Sequence, residues 1–221
     1  MKLIFAHNSH NRPKTLTKTV EIEKTYFPDS ECYLSLTENG GISESQFSNL
    51  KNTKIIKTFG NTWQLGCVNC FYALISKILE EHEDAIVIFS HDDIYLKNYD
   101  RVEKVIDRML NEEIPFIVRR PKRHWGERYF MMETVYLRLS KIKHIFTPFS
   151  LSLFPNQNCI VKDNQGNISA EAWLHSKLCD LKDGVVIEYE HINSSLDEIN
   201  AQQVDSLGYE HLNFGKHAWK E

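Results

Sequence analysis

The stretch that most constrains this chain is Asp84-Ala-Ile-Val-Ile-Phe-Ser-His-Asp-Asp-Ile-Tyr-Leu96. Ala85 to Phe89 form an apolar run rich in β-branched residues. A continuous run of this kind, rather than an alternating one, reads as a strand buried on both faces. The run stops on Ser90, His91, Asp92 and Asp93. Ligands of open α/β sheets gather at the carboxyl ends of such strands. Adjacent acids there repel one another unless a cation or a hydrogen-bond network offsets the charge. Residues 90–93 are therefore expected to form a metal or catalytic site. The competing reading is that Asp92 and Asp93 make a polar turn or cap the helix expected near Tyr99.

The flanking segments set the fold class. A helix is expected from about Cys67 to Glu81, because Val68, Phe71, Tyr72, Ile75, Ile78 and Leu79 share one face. A second helix is expected from about Tyr99 to Asn111. Upstream, Leu3–Ala6 reads as a strand, His7–Pro13 as a polar loop, and Thr15–Tyr26 as a helix with Pro13 in its first turn. Strands are expected at Cys32–Leu36 and Lys54–Phe59, with a turn at Thr37–Gly41 and a loop from Gly60 to Gly66. Downstream come a strand at Ile114–Val118, a hairpin around Asp163–Gly166, a helix opened by Ser169 as its N-cap, and a strand at Val185–Tyr189. Strands alternating with helices indicate an α/β fold, a single Rossmann-like domain with a mainly parallel mixed sheet flanked by helices.

Size and composition agree with this. The 221 residues suit one domain, and 42% hydrophobic with 25% charged residues is ordinary for a soluble globular protein. A net charge of −4 gives no global attraction to nucleic acid or anionic membrane. No apolar run reaches the roughly 20 residues of a membrane span, and Met1–Ala6 is too short for a signal peptide. Five cysteines form no disulfide framework and fit a reducing compartment, so a cytoplasmic location is expected. Cys67 and Cys70 have C-x-x-C spacing, but no second pair or neighbouring histidine completes a ligand set, and core packing is the expectation.

Taken together, the first strand followed by Asn11-Arg12-Pro13, the segment Leu65-Gly-Cys-Val-Asn-Cys70, and the apolar strand ending in His91-Asp92-Asp93 resemble the GT-A-fold glycosyltransferases, in the order that fold requires. His91 stands where the family's D-x-D motif carries its first acid. The resemblance implies a metal-dependent transferase with a nucleotide-sugar donor and Mn²⁺ or Mg²⁺ as cofactor. Residues 1–118 or so would hold donor and metal, and about 119–221 would shape the acceptor side. Asp93 is implied as the main metal ligand, and Asp92 would serve next to it in the donor and catalytic set. Asn8, His10, Arg12, Glu38, Asn69 and His91 would contact the donor. Glu171 would be the base of an inverting transfer, while His191 or His211 would complete the metal site of a retaining one. Bland readings stand beside these: a solvated loop for Arg12, a turn acid for Glu38, a helix cap for Asn69, and a capping-box position for Glu171.

Arg119, Arg120, Lys122, Arg123 and Arg128 crowd around Trp125. They are expected to grip the diphosphate or an anionic acceptor, to track a nucleic-acid backbone, or to form a solvated basic loop. The acceptor would be a glycan or, if the patch binds DNA, a hydroxylated base of phage type. Two rival functions remain: a metal-dependent nucleotidyl- or phosphotransferase, and a non-enzymatic nucleic-acid-binding module centred on residues 119–128.

Overall fold

A computed structural model describes residues 1–9, 12–37, 43–58, 63–92, 94–121, 129–146, 161–163, 166–189 and 207–211. The chain runs β1 (Lys2–Ser9), α1 (Pro13–Tyr26), β2 (Glu31–Thr37), a 3-10 turn (Glu44–Phe47), β3 (Thr53–Thr58), α2 (Trp63–Glu81) and β4 (Ala85–His91). It continues with β5 (Ile94–Leu96), α3 (Tyr99–Asn111), β6 (Phe116–Pro121), β7 (Thr134–Arg138), α4 (Leu139–Phe146), α5 (Ala170–Leu178), β8 (Val185–Tyr189) and β9 (Tyr209–His211). Among the described residues, no helix is long and apolar enough to cross a membrane.

Seven strands form one mixed sheet in the order β3-β2-β1-β4-β7-β6-β8. β3, β2, β1 and β4 are parallel. β7 is antiparallel to both β4 and β6, and β8 is parallel to β6. With β7 the reversed strand, all the others end at one common edge, which collects the ends of β1, β4, β6 and β8. The continuous apolarity of β4 has the expected cause. Val87 and Phe89 pack with Phe71, Phe146 and Trp173 on one face, while Ile86 and Ile88 pack with Phe5, Val102 and Met109 on the other. Each such side chain contributes about 1.5–3 kcal/mol by leaving water, so a central strand has no position to spare for a solvated residue.

The structure moves several expected boundaries. β1 extends through His7, Asn8 and Ser9, and β4 through Ser90 and His91, because these residues stay in the ladder: His7 pairs with Ser90 and Asn8 with His91. Polar side chains at a buried strand end persist when they find partners. α2 starts at Trp63, so the expected loop ends earlier and Gly66 lies inside the helix. A mid-helix glycine costs roughly 1 kcal/mol relative to alanine, which tertiary packing of this apolar helix exceeds. α3 is capped by Asn98, whose side chain accepts from the Arg101 amide at 3.0 Å. Asp92 is therefore not its cap.

A second, two-stranded ribbon pairs β5 with β9, placing His211 opposite Ile94 and Tyr209 opposite Leu96. The chain reaches this ribbon through Gly208, at φ +85°, whose carbonyl accepts from the amides of Lys97 and Asn98 at 2.9 Å each. A Cβ there would lie 2.6 Å from both the Asn98 carbonyl oxygen and Val102 Cγ2, so only glycine passes under the start of α3.

Candidate active site at the carboxyl edge

β1 and β4 end side by side, and their polar residues alternate between the two faces of the sheet. Ser9 Oγ donates to Asp92 Oδ2 at 3.0 Å, tying the end of β1 to the first acid after β4. Asn8 is 8% exposed and hydrogen-bonds the Cys67 thiol on α2. That thiol is pushed up to about 12 by burial, and further by Cys70, Glu171 and Asp92, with Asn8 opposing. Asp92 and Glu171 thus lie within electrostatic reach of one point, Cys67 Sγ. Cys70 is buried and bonded to Thr58 Oγ1 at 3.3 Å, with its thiol also raised by burial. Both thiols are in the neutral form, as packing residues should be.

Glu171 is the second residue of α5. Ser169 is the N-cap, its Oγ accepting from the Ala172 amide at 3.1 Å and donating to Glu171 Oε2 at 3.3 Å. The third helical position is Ala172, so Glu171 does not form a capping box; its carboxylate sits in the first turn, where the helix dipole favours negative charge. Asn69 is well inside α2 and cannot cap it. Its side chain is 6% exposed, yet Nδ2 has no hydrogen-bond partner among the described residues, and neither has the buried Nε2 of His91. A buried unpaired donor costs about 1–3 kcal/mol, a penalty that a ligand oxygen would remove. Arg12 occupies the N-cap position of α1 without capping it through its side chain. His10, Glu38, Asp93, His191, Lys122, Arg123 and Trp125 lie outside the described residues. His211 is described in its backbone, which β9 sets opposite Ile94, the residue after Asp93.

Two residues of the basic segment, Arg119 and Arg120, lie in the described part of β6. Arg119 is fully buried on β6, with Nη2 donating to Glu133 Oε2 at 2.8 Å. Arg120 donates to Glu188 Oε1 on β8 at 2.5 Å. Both belong to the sheet and are paired within it, so neither stands in a solvated basic patch.

Sequence reasoning missed a buried polar network that joins β1, α1 and β4. His7, entirely buried, has Nδ1 2.8 Å from Ser90 Oγ and Nε2 2.8 Å from Glu23 Oε2. The Tyr209 hydroxyl donates to Glu23 Oε1 at 3.3 Å. One ring orientation serves both contacts, with Nε2–H donating to Glu23 and Nδ1 facing the Ser90 hydroxyl. The pattern of serine, histidine and acid resembles a nucleophile triad. Ser90 and His7 are both wholly buried, so no substrate reaches them and the group acts as scaffold. Its signal in the sequence was Glu23, which continues the buried stripe of Leu16, Thr19 and Val20 on α1.

A different cluster meets the geometric requirement for cation binding. Ligand atoms of Glu31, Glu81 and His82 lie within 4.8 Å of one another. It sits at the opposite, amino edge of the sheet and already holds cations of the chain: Lys2 and Lys54 pair with Glu31 at 3.1 and 3.2 Å, and Lys54 also pairs with Glu81. A groove of about 610 Å³ lined by Lys18, Glu21, Lys24 and Lys51 opens at the same end of the molecule, away from Asp92.

No protein-family model matches the chain, and no curated protein sequence matches it. Its architecture is nevertheless shared: this is a GT-A-like α/β fold. Among solved structures, the galactosyltransferase LgtC, in complex with donor and acceptor sugar analogs, aligns with a TM-score of 0.56 at 14% identity, covering 100% of this chain and 90% of its own. A glycosyltransferase involved in the glycosylation of the major capsid of PBCV-1 aligns at 0.54 and 9% identity, covering 99% and 97%. The Francisella tularensis 2-C-methyl-D-erythritol 4-phosphate cytidylyltransferase aligns at 0.54 and 11% identity, covering 90% and 97%. At such identities the likeness fixes the fold, and the chemistry rests on the chain's own residues.

Proposed function

We propose that this protein is a metal-dependent glycosyltransferase that moves a sugar from a nucleotide-sugar donor to an acceptor hydroxyl. The observation that supports this best is the tie between the ends of β1 and β4, where Ser9 Oγ donates to Asp92 Oδ2 at 3.0 Å. Asp92, Asp93 and His211 would hold a divalent ion. Carboxylate oxygens with one imidazole suit Mn²⁺ or Mg²⁺, and the β5–β9 pairing brings the backbone of His211 beside the residue after Asp93. The ion would supply Lewis-acid stabilisation of the leaving diphosphate. Ser9 orients the Asp92 carboxylate. Asn8, Arg12, Asn69 and His91 would bind the donor, with the unpaired nitrogens of Asn69 and His91 donating to its oxygens. Glu171, oriented by Ser169, would take the proton of the acceptor hydroxyl in an inverting transfer.

A thermal-shift series with nucleotide diphosphates and nucleotide sugars, with and without Mn²⁺, tests the reading. A ligand present at a hundred times its Kd adds about 2.7 kcal/mol to stability. A Mn²⁺-dependent rise in Tm with one nucleotide class is expected, and no rise with any nucleotide rejects the proposal. The second reading, a nucleotidyltransferase, draws on the equal likeness to a cytidylyltransferase. It predicts pyrophosphate release from a nucleoside triphosphate, whereas glycosyl transfer releases the nucleotide from its sugar. His10-Asn11-Arg12-Pro13 after β1 contains no glycine to cradle a triphosphate, which favours the first reading.

A further inference from the structure

We propose that His7, Glu23 and Tyr209 form a clamp that sets the geometry, and so the affinity, of the metal site without touching the ion. The inference rests on the glycosyltransferase reading for the metal, and on the hydrogen bonds alone for the clamp.

Each arm of the clamp ends two residues from a proposed ligand. On one side His7 Nδ1 holds Ser90 Oγ at 2.8 Å, and Ser90 precedes Asp92 by two positions on the end of β4. On the other side His7 Nε2 holds Glu23 Oε2 at 2.8 Å, and Glu23 Oε1 accepts the Tyr209 hydroxyl at 3.3 Å. Tyr209 precedes His211 by two positions on β9. The short β5–β9 ribbon is packed into the core through Ile94, Leu96, Leu207 and Tyr209, and this link fixes its polar side to β1 and β4. Two flanking bonds support the same path: Tyr136 donates to the Leu207 carbonyl at 2.7 Å, and Thr19 Oγ1 donates to the Ile94 carbonyl at 3.5 Å. The strand that carries the acids and the strand that carries the histidine are therefore referenced to one buried imidazole.

Burial makes the clamp stiff. His7, Ser90 and Tyr209 have no exposed surface and Glu23 has 1%, so water does not substitute for any bond in it. Groups that orient metal ligands from behind typically change metal affinity by about 10–100-fold when altered.

Two variants test this, each removing a contact without emptying volume: Tyr209→Phe and Glu23→Gln. Hydrogen exchange is read first, on the protein without metal. Faster exchange of the amides of residues 94–96 and 209–211 is expected in both variants, and exchange equal to the parent's overturns the clamp. Mn²⁺ alone is then titrated, with free ion followed by its electron paramagnetic resonance signal. A rise in Kd of about tenfold is expected, against no change in Ile142→Val, a core truncation in the opposite layer that lowers Tm by a general loss of packing. Variants that fold and bind Mn²⁺ as tightly as the parent overturn the positioning role. If the parent itself binds no Mn²⁺, the metal reading is what fails, and the exchange result still decides the clamp.

Discussion

The two edges of the sheet carry clusters of similar composition and opposite character. At the amino edge, Glu31, Glu81 and His82 converge, but Lys2 and Lys54 reach into the group and the Tyr33 hydroxyl donates to Glu81 at 2.6 Å. At the carboxyl edge, Asp92 and Glu171 are oriented by serine hydroxyls, those of Ser9 and Ser169. The first cluster meets its charge with ammonium groups of the chain. The second orients Asp92 and Glu171 with hydroxyl donors. Proximity of acids alone therefore does not identify a cation site where ammonium groups of the chain already sit among them. Among the described residues only the amino-edge group satisfies a simple distance criterion, yet the carboxyl edge is where a parallel sheet receives its ligands.

The sharpest way to break this contrast is to remove one acid from each edge. Asp93→Ala is expected to lower Mn²⁺-dependent turnover by about a thousandfold, the scale of several kcal/mol of lost charge stabilisation, with an unchanged circular dichroism spectrum. Glu81→Gln at the amino edge is expected to leave turnover and Mn²⁺ affinity as they are. Equal losses from the two variants would dissolve the distinction. Glu171→Gln comes next: a general base contributes about 10²–10⁴-fold, so acceptor transfer should fall by at least a hundredfold while nucleotide binding persists. If transfer survives and slow donor hydrolysis is also unchanged, Glu171 is only a favourable first-turn charge.

Arg119 extends the comparison from the edges to the sheet itself. Its guanidinium is fully buried against Glu133, and breaking a buried pair from one side costs about 3–5 kcal/mol. Arg119→Ala should therefore lower the urea midpoint strongly. Arg120→Ala, whose partner Glu188 is half-exposed, should lose about 1 kcal/mol or less. A ligand-gripping Arg119 would show the reverse, near-normal stability and weakened nucleotide binding.

What the sequence disclosed follows from the kind of force each element depends on. Periodicity located α2 and the apolar run located β4, because burial on one or two faces leaves a local pattern, while Pro13 and Ser169 marked the starts of α1 and α5. The mainly parallel character of the sheet followed from the alternation of strands and helices. The reversal at β7 left no such trace, since a five-residue apolar strand reads the same in either direction. At the site, Asp92 and Glu171 were visible as acids at a strand end and a helix start. The partnership of His7 with Glu23 and Ser90 was not, because it joins residues 16 and 83 positions apart. The polar tail of β1 looked like a loop for the same reason. At Arg119 and Arg120 charge in the sequence suggested solvent, because Glu133 and Glu188, which pair with them in the sheet, are distant in sequence.

The smallest expected effect belongs to the amino edge and concerns pH. The Glu81 carboxyl is held down to about 2, first by Lys54 and then by the Tyr33 hydroxyl, while Lys54 is held above its ordinary value by the same contacts. A carboxyl lowered in the folded state takes up its proton earlier when unfolded. Its stabilisation is therefore complete above the ordinary value of 4.5 and drains away as pH falls toward about 2. The pair lies at the surface, where water and salt screen it, so the contribution is no more than about 1 kcal/mol. Urea midpoints measured from pH 5 to pH 2.5 should fall more steeply for the parent than for Lys54→Met, and the difference should shrink in 0.5 M salt, where screening acts within about 4 Å. The same Lys54→Met substitution exposes Glu31 and Glu81 to the solvent cation pool. If the amino edge is neutralised scaffold, the variant gains at most a weak Mn²⁺ site and keeps the parent's nucleotide binding. Loss of nucleotide binding on replacing Lys54 would instead place the working site at the wrong end of the sheet.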